Sequence, residues 1–108
     1  MRGKSSDITP PTNVQVTAPS GGQTLSGTFA LKGSAQDNSG TIQKVEFYID
    51  TDTTPACSDT VPKSSGSTFM CNWNSTTKVN GAHTVKAKAY DPSGNAAFSA
   101  AVSFTVNN

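Results

Sequence analysis

The sequence predicts an all-β fold, an antiparallel β-sandwich of about seven strands. Three observations carry this. Apolar residues recur at every second position in six separate segments, clusters of Gly, Pro, Asn and Asp fall between those segments, and no useful length of chain shows a helical period. A chain of 108 residues suits one domain with one modest core. Composition agrees, with 33% hydrophobic residues, 14% charged residues, 14 Ser and 15 Thr.

Residues 1–12 read as a tag and linker, because Met1 to Ser6 carries no apolar block of the kind a signal peptide needs and Pro10-Pro11 stiffens an extended approach to the first strand. Residues 13–108 read as the domain. Val14 and Val16 alternate first. Phe29, Leu31 and Ala35 follow, with Gly33 on the same parity, where two backbones are expected to approach closely. Val45, Phe47 and Ile49 make the cleanest strand, a short one is expected near Ser58 to Val61, and Phe69, Cys71 and Trp73 share the parity of the next. Val85, Ala87 and Ala89, then Val102, Phe104 and Val106, complete the set. Turn signals separate them at Pro19-Ser20-Gly21-Gly22, Asp37-Asn38-Ser39-Gly40, Val79-Asn80-Gly81 and Asp91-Pro92-Ser93-Gly94-Asn95.

The run Asp7 to Thr12, with Ala35-Gln36-Asp37-Asn38-Ser39-Gly40, Lys44-Val45-Glu46-Phe47-Tyr48-Ile49-Asp50, Asn80-Gly81-Ala82-His83-Thr84-Val85 and Ala87-Lys88-Ala89-Tyr90-Asp91, resembles the bacterial immunoglobulin-like domains. These are appended to secreted hydrolases and strung together in surface adhesins. The resemblance implies an immunoglobulin-like sandwich that is secreted or at the cell surface, without catalysis of its own. In one place the chain departs from the pattern. A longer segment from Thr51 to Ser67 carries Cys57, and Cys71 stands where such domains place an aromatic residue.

Two cysteines are too few for a tetrahedral zinc site, and the single histidine is remote from them in sequence. If the segments around Cys57 and Cys71 form a hairpin centred near Ser64, the sulfurs face one another and a disulfide is expected, with free thiols or a redox pair as alternatives. His83 has the inward parity at the start of the penultimate strand, where a ring is expected to hydrogen-bond backbone and pin the corner rather than serve acid–base chemistry. Tyr48, Tyr90 and Phe98 are the candidate surface aromatics for stacking on a sugar ring. Tyr48 and Tyr90 take the outward parity on neighbouring strands and offer a small platform, although single exposed aromatics are ordinary on such sheets. Asp50, Asp52 and Asp59 read as residues of a solvated loop, because paired carboxylates for glycoside hydrolysis would need a cleft.

The expected topology gathers Asp7, Asp37, Asn38, Asp91 and Asn95 at one pole, oxygen donors of the kind calcium prefers. The alternative is that they serve their own turns. No other cofactor is expected. Eight Lys and Arg against seven Asp and Glu, scattered, leave no footprint for nucleic acid, and no run reaches the roughly 18 apolar residues of a membrane span. The expected function is a monomeric, non-catalytic spacer or accessory module whose partners are neighbouring domains of its own parent chain. The alternative is an adhesion module that docks polysaccharide or a cell surface.

Overall fold

The computed structural model describes residues 8–108, and over them the chain folds into strands joined by turns, with one 3-10 turn at Ser75–Thr77. The strands are β1 (Thr12–Ala18), β2 (Thr24–Leu25), β3 (Thr28–Gln36), β4 (Thr41–Ile42), β5 (Lys44–Ile49) and β6 (Cys57–Asp59), followed by β7 (Lys63–Ser64), β8 (Thr68–Asn74), β9 (Gly81–Tyr90), β10 (Ala96–Phe98) and β11 (Val102–Val106). Each expected segment is a strand. The four additions, β2, β4, β7 and β10, are two or three residues long, too short for alternation to reveal them.

One sheet has the order β1-β3-β8; the other has β2-β11-β9-β5-β6, with β10 also on β9, and β4 pairs with β7 separately. Pairing is antiparallel throughout except between β11 and β2. The first strand changes sheets where Pro19, which has no N–H to give a ladder, follows β1 and the chain turns into β2.

Alternation becomes the core directly. Leu31, Val45, Phe47, Ile49, Phe69, Val85, Ala87 and Ala89 are 0% exposed, and Trp73 packs edge-on against Phe104 at 5.8 Å between ring centroids. Phe29 is partly buried and packs against this cluster. Gly33 sits where the two sheets press together. A Cβ there would lie 2.8 Å from the Gln15 carbonyl oxygen and 3.2 Å from the Phe47 ring, so the backbone approach expected at this glycine is present.

Strand polarity defines two poles. Thr12 pairs with Gln36 and Lys44 with Tyr90, so β1 begins at the pole where β9 ends. Val106 pairs with Gly81, so β11 leaves at the opposite pole. There Asn108 is fastened, its Oδ1 accepting from Gly27 N at 2.7 Å and its N donating to Asn80 Oδ1 at 2.8 Å.

Candidate functional site

The cysteines are joined, but not across a hairpin. Cys57 lies on β6 opposite Phe47 of β5, and Cys71 lies on β8 opposite Leu31 of β3, so the bond ties one sheet to the other with 6.0 Å between the Cα atoms. The hairpin expected around Ser64 is replaced by a crossover, because Lys63–Ser64 pairs with β4 instead. Asp59 organises that crossover rather than sitting in a solvated loop. Its Oδ2 accepts from Lys63 Nζ at 2.7 Å and from Met70 N at 3.0 Å, and its Oδ1 accepts from Val61 N at 3.1 Å. Burial works to raise its pKa, and these hydrogen bonds outweigh burial and hold it below the ordinary carboxylate value.

His83 is buried at the start of β9 and both of its ring nitrogens face acceptors. Nε2 is 2.7 Å from the Val79 carbonyl oxygen, and Nδ1 is 2.7 Å from Asp50 Oδ2. While Asp50 is ionised neither acceptor can donate, so the arrangement favours the doubly protonated, imidazolium form of the ring. The Val79 carbonyl and then the Asp50 carboxylate hold its pKa above the ordinary value, outweighing desolvation. Asp50 also accepts from Thr84 N at 3.0 Å and occupies a left-handed backbone conformation, φ 53°. Burial pushes its pKa up, and the bonds from His83 and Thr84 bring it below the ordinary value. Asp52 pairs with Lys78 at 2.8 Å. The solvated-loop reading is thus corrected for Asp50, which holds the His83 end of β9 to the chain that follows β5, while Asp52 is exposed in the loop as expected and pairs there with Lys78. A ring fixed on both sides has no free nitrogen with which to take a substrate proton.

At the first pole Asp37 is 7% exposed and Asp91 1% exposed. Asp91 Oδ1 accepts from Ser93 N at 3.0 Å and Asn95 N at 2.9 Å, and its Oδ2 accepts from Asn95 Nδ2 at 2.9 Å, so this carboxylate shapes its own turn. Asp37 Oδ2 accepts from Ser39 N at 3.1 Å, while Asp37 Oδ1 is buried with no hydrogen-bond partner. Asn38 is exposed on the same turn. Among the described residues no three His, Cys, Asp or Glu side chains gather as a metal-binding group. Asp7, named with this set, lies outside the described residues.

The outward face of β5 and β9 carries the two tyrosines. Tyr48 and Tyr90 both donate to Glu46 Oε1, at 2.8 and 2.9 Å, and Lys44 Nζ lies 3.4 Å from Glu46 Oε2. Burial works to raise the Glu46 pKa, and these three donors together bring it below the ordinary value. Burial, and then donation to Glu46, pushes the Tyr48 hydroxyl well above its ordinary pKa. Tyr48 is only 8% exposed, with its ring edge-on to Phe98 at 5.8 Å. The platform expected from Tyr48 and Tyr90 is therefore differently composed. Phe98, 50% exposed, is the ring this face offers to solvent, and Tyr90 is half-buried beneath Lys44 and Lys88. Phe98, expected among the surface aromatics, is thus on the surface, although β10 is too short for alternation to declare its face.

A groove of about 430 Å³ runs between the loop at Asp52 and Thr54–Ala56 and the strand Asn72–Asn74. Trp73 borders it but is 4% exposed, and neither His83 nor a cysteine lines it.

A family model described as "Bacterial Ig domain" matches residues 13–87. Among solved structures the chain is similar to the endo-β-1,4-mannanase from Thermotoga petrophila, with 15% identity, a TM-score of 0.65, and coverage of 94% of this chain and 21% of that one. It is also similar to the fibronectin(III)-like modules of CbhA from Clostridium thermocellum, with 25% identity, a TM-score of 0.63, and coverage of 92% of this chain and 46% of that one. The chain thus spans about a fifth and just under half of these two structures. The mannanase likeness is one of fold. None of the curated proteins compared with the chain matches it.

Proposed function

The chain belongs to the bacterial Ig domain family, and we propose that it is a non-catalytic spacer or accessory module of a larger secreted or surface bacterial protein. Strand polarity is the observation that carries this reading. β1 begins at one pole and β11 ends at the other, and between them β9 runs ten residues, about 33 Å at the rise of an extended strand. Neighbours attached at the two ends would be held a fixed distance apart by a cross-braced body. The inter-sheet disulfide supports an oxidising compartment, and the similarity of this fold to parts of longer chains supports the accessory role. The test is a distance: dyes attached ahead of Thr12 and after Asn108 should report one narrow distribution at roughly 35 Å or somewhat more. A broad distribution, or one that collapses toward zero separation, would refute a rigid spacer.

Calcium at the first pole is a second reading, and it rests on Asp37 Oδ1. A carboxylate oxygen buried without a partner costs free energy that a bound cation would recover. Asp37, with Asn38, Asp91 and Asn95 at the same pole, would hold the ion and tie the approach to β1 onto the body. Added calcium should shift the amides near Asp37 and Asp91 first, and Asp37→Ala should abolish the shift. If those amides stay still up to about 10 mM, above the weak extracellular range, the aspartates are turn residues only.

A further inference from the structure

The outward face of β9, with its neighbours β5 and β10, carries a pattern that the spacer reading does not use. Lys86 Nζ stands 4.6 Å and Lys88 Nζ 5.2 Å from the centroid of the Phe98 ring, and Lys88 Nζ also stands 5.1 Å from that of Tyr90. Lys44 Nζ lies 4.5 Å from the Tyr90 centroid. Three ammonium groups thus share a face on which the acidic group is Glu46, and that carboxylate is already taken by Tyr48, Tyr90 and Lys44. Among the described residues Lys86 and Lys88 have no carboxylate partner. The face therefore holds two unpaired ammonium groups beside a phenyl ring that is 50% exposed.

We propose that this face binds a linear polyuronate, a polysaccharide whose sugar rings each carry a carboxylate. Charge complementarity selects an anion, because a neutral sugar laid over these rings would strip water from Lys86 and Lys88 and return no countercharge. The exposed Phe98 selects a carrier with an apolar ring face, which a bare phosphate chain does not offer. Strand geometry selects a linear polymer. Lys86 and Lys88 are two residues apart on one side of β9, about 7 Å along the strand, and Tyr90 continues the row by as much again. Carboxylates repeated along the polymer meet the ammonium groups, and the sugar faces between them lie on Phe98 and the edge of Tyr90. The polymer's charge also determines how binding responds to salt, since these are surface contacts that ions screen.

The experiment is calorimetric titration of hexagalacturonate into the intact protein at low ionic strength, with amide mapping on the same sample. Binding should be measurable, weaken with added salt, and move the amides of β9 and β10 while leaving β8 still. Lys86→Gln combined with Lys88→Gln should weaken affinity by roughly tenfold or more, and Phe98→Ala should weaken it several-fold at unchanged salt dependence. Lys32→Gln, an exposed lysine on the other sheet, should leave it unchanged, and thermal unfolding of every variant reports whether the fold is intact. Four results would overturn the proposal: no heat and no amide shifts, equal affinity for cellohexaose, Phe98→Ala binding as the parent does, or polyphosphate or a thymidine oligonucleotide binding more tightly than hexagalacturonate.

Discussion

Replacing Asp50 with Asn isolates the charge that holds His83. The backbone at this position has φ 53°, which Asn tolerates as well as Asp, so Asp50→Asn should leave the turn intact. The new carboxamide oxygen can keep the bond from Thr84 N, and its NH2 can donate to His83 Nδ1 once that nitrogen loses its proton. The cost is one charge-assisted hydrogen bond, about 1.5–3 kcal/mol in general. Because the Asp50 side chain is 33% exposed, solvent screening takes the expected loss to the lower end, about 1–2 kcal/mol. At roughly 4–8 °C per kcal/mol, the melting temperature should fall by about 4–16 °C near pH 5.5. The sign with pH is fixed by the direction of each shift. His83 titrates above its ordinary 6.5, so its contribution is complete below that pH and is lost as pH rises through the folded-state value. Asp50 titrates below its ordinary 3.8, so its contribution is complete above that pH and is lost as pH falls through the folded-state value. The pair therefore stabilises most between about pH 4 and 6.5, and the difference between parent and variant should shrink toward pH 9. Lys78, 4.0 Å from Asp50, opposes the imidazolium charge weakly and keeps its bond to Asp52 in the variant. Urea unfolding at pH 5.5 and 9 measures the difference, and the single histidine gives one proton resonance to titrate directly. An equal loss at both pH values, or a parent His83 that titrates below 6.5, would refute the imidazolium argument.

Reducing the Cys57–Cys71 bond, or replacing both residues with Ala, should cost about 3 kcal/mol for a loop of this size and lower the melting temperature by more than about 10 °C. A change within about a degree would mean that other contacts already fix the two sheets in place. Gly33→Ala should destabilise by about 1–3 kcal/mol, because its methyl group would press on the Gln15 carbonyl and the Phe47 ring. Urea midpoints read this directly, and a neutral result would show that β1 yields without penalty.

The strands were legible because alternation is a property of single strands. A residue that faces the core declares itself by its own chemistry and by that of its neighbours two positions away, as Val45, Phe47 and Ile49 do. What alternation does not state is which strand lies across. Cys57 and Cys71, fourteen positions apart, suit a hairpin as well as a crossover, and only the pairing of Lys63–Ser64 with β4 decides between them. His83 was legible as inward, but its partner was not, since Asp50 is 33 residues away and ends a strand whose register must first be known. With Ile49 opposite Val85, the residue that follows β5 falls beside Thr84 and His83, so the register alone would have found the pair. Tyr48 and Tyr90 were legible as outward, yet facing out is not the same as being exposed. Long lysine side chains and the Phe98 ring cover them, and no spacing rule counts what a side chain on a nearby strand can reach.

A domain of about 100 residues buries a smaller fraction of its surface than a larger one does, and its two sheets meet through the side chains of their inner faces. Resistance to being pulled or sheared at the poles then depends on ties between elements that the core does not join strongly. The positions of the ties follow that need. The disulfide joins the two sheets at β6 and β8, Asp59 fastens the crossover between them, the His83–Asp50 pair locks the end of β5 to the start of β9, and Asn108 closes the last strand onto the turns at Gly27 and Asn80. Three of these four lie where a strand ends or the chain changes sheet, where ladder hydrogen bonds run out and a spacer under load would begin to fray. The ties use the polar and sulfur chemistry of the inward and edge positions, and none of them draws on Lys86, Lys88 or Phe98. Lys86 and Lys88 can therefore be varied for binding without loosening these ties, and Phe98, whose ring packs against Tyr48, is varied with its melting temperature measured alongside, so that the polyuronate experiment separates recognition from stability.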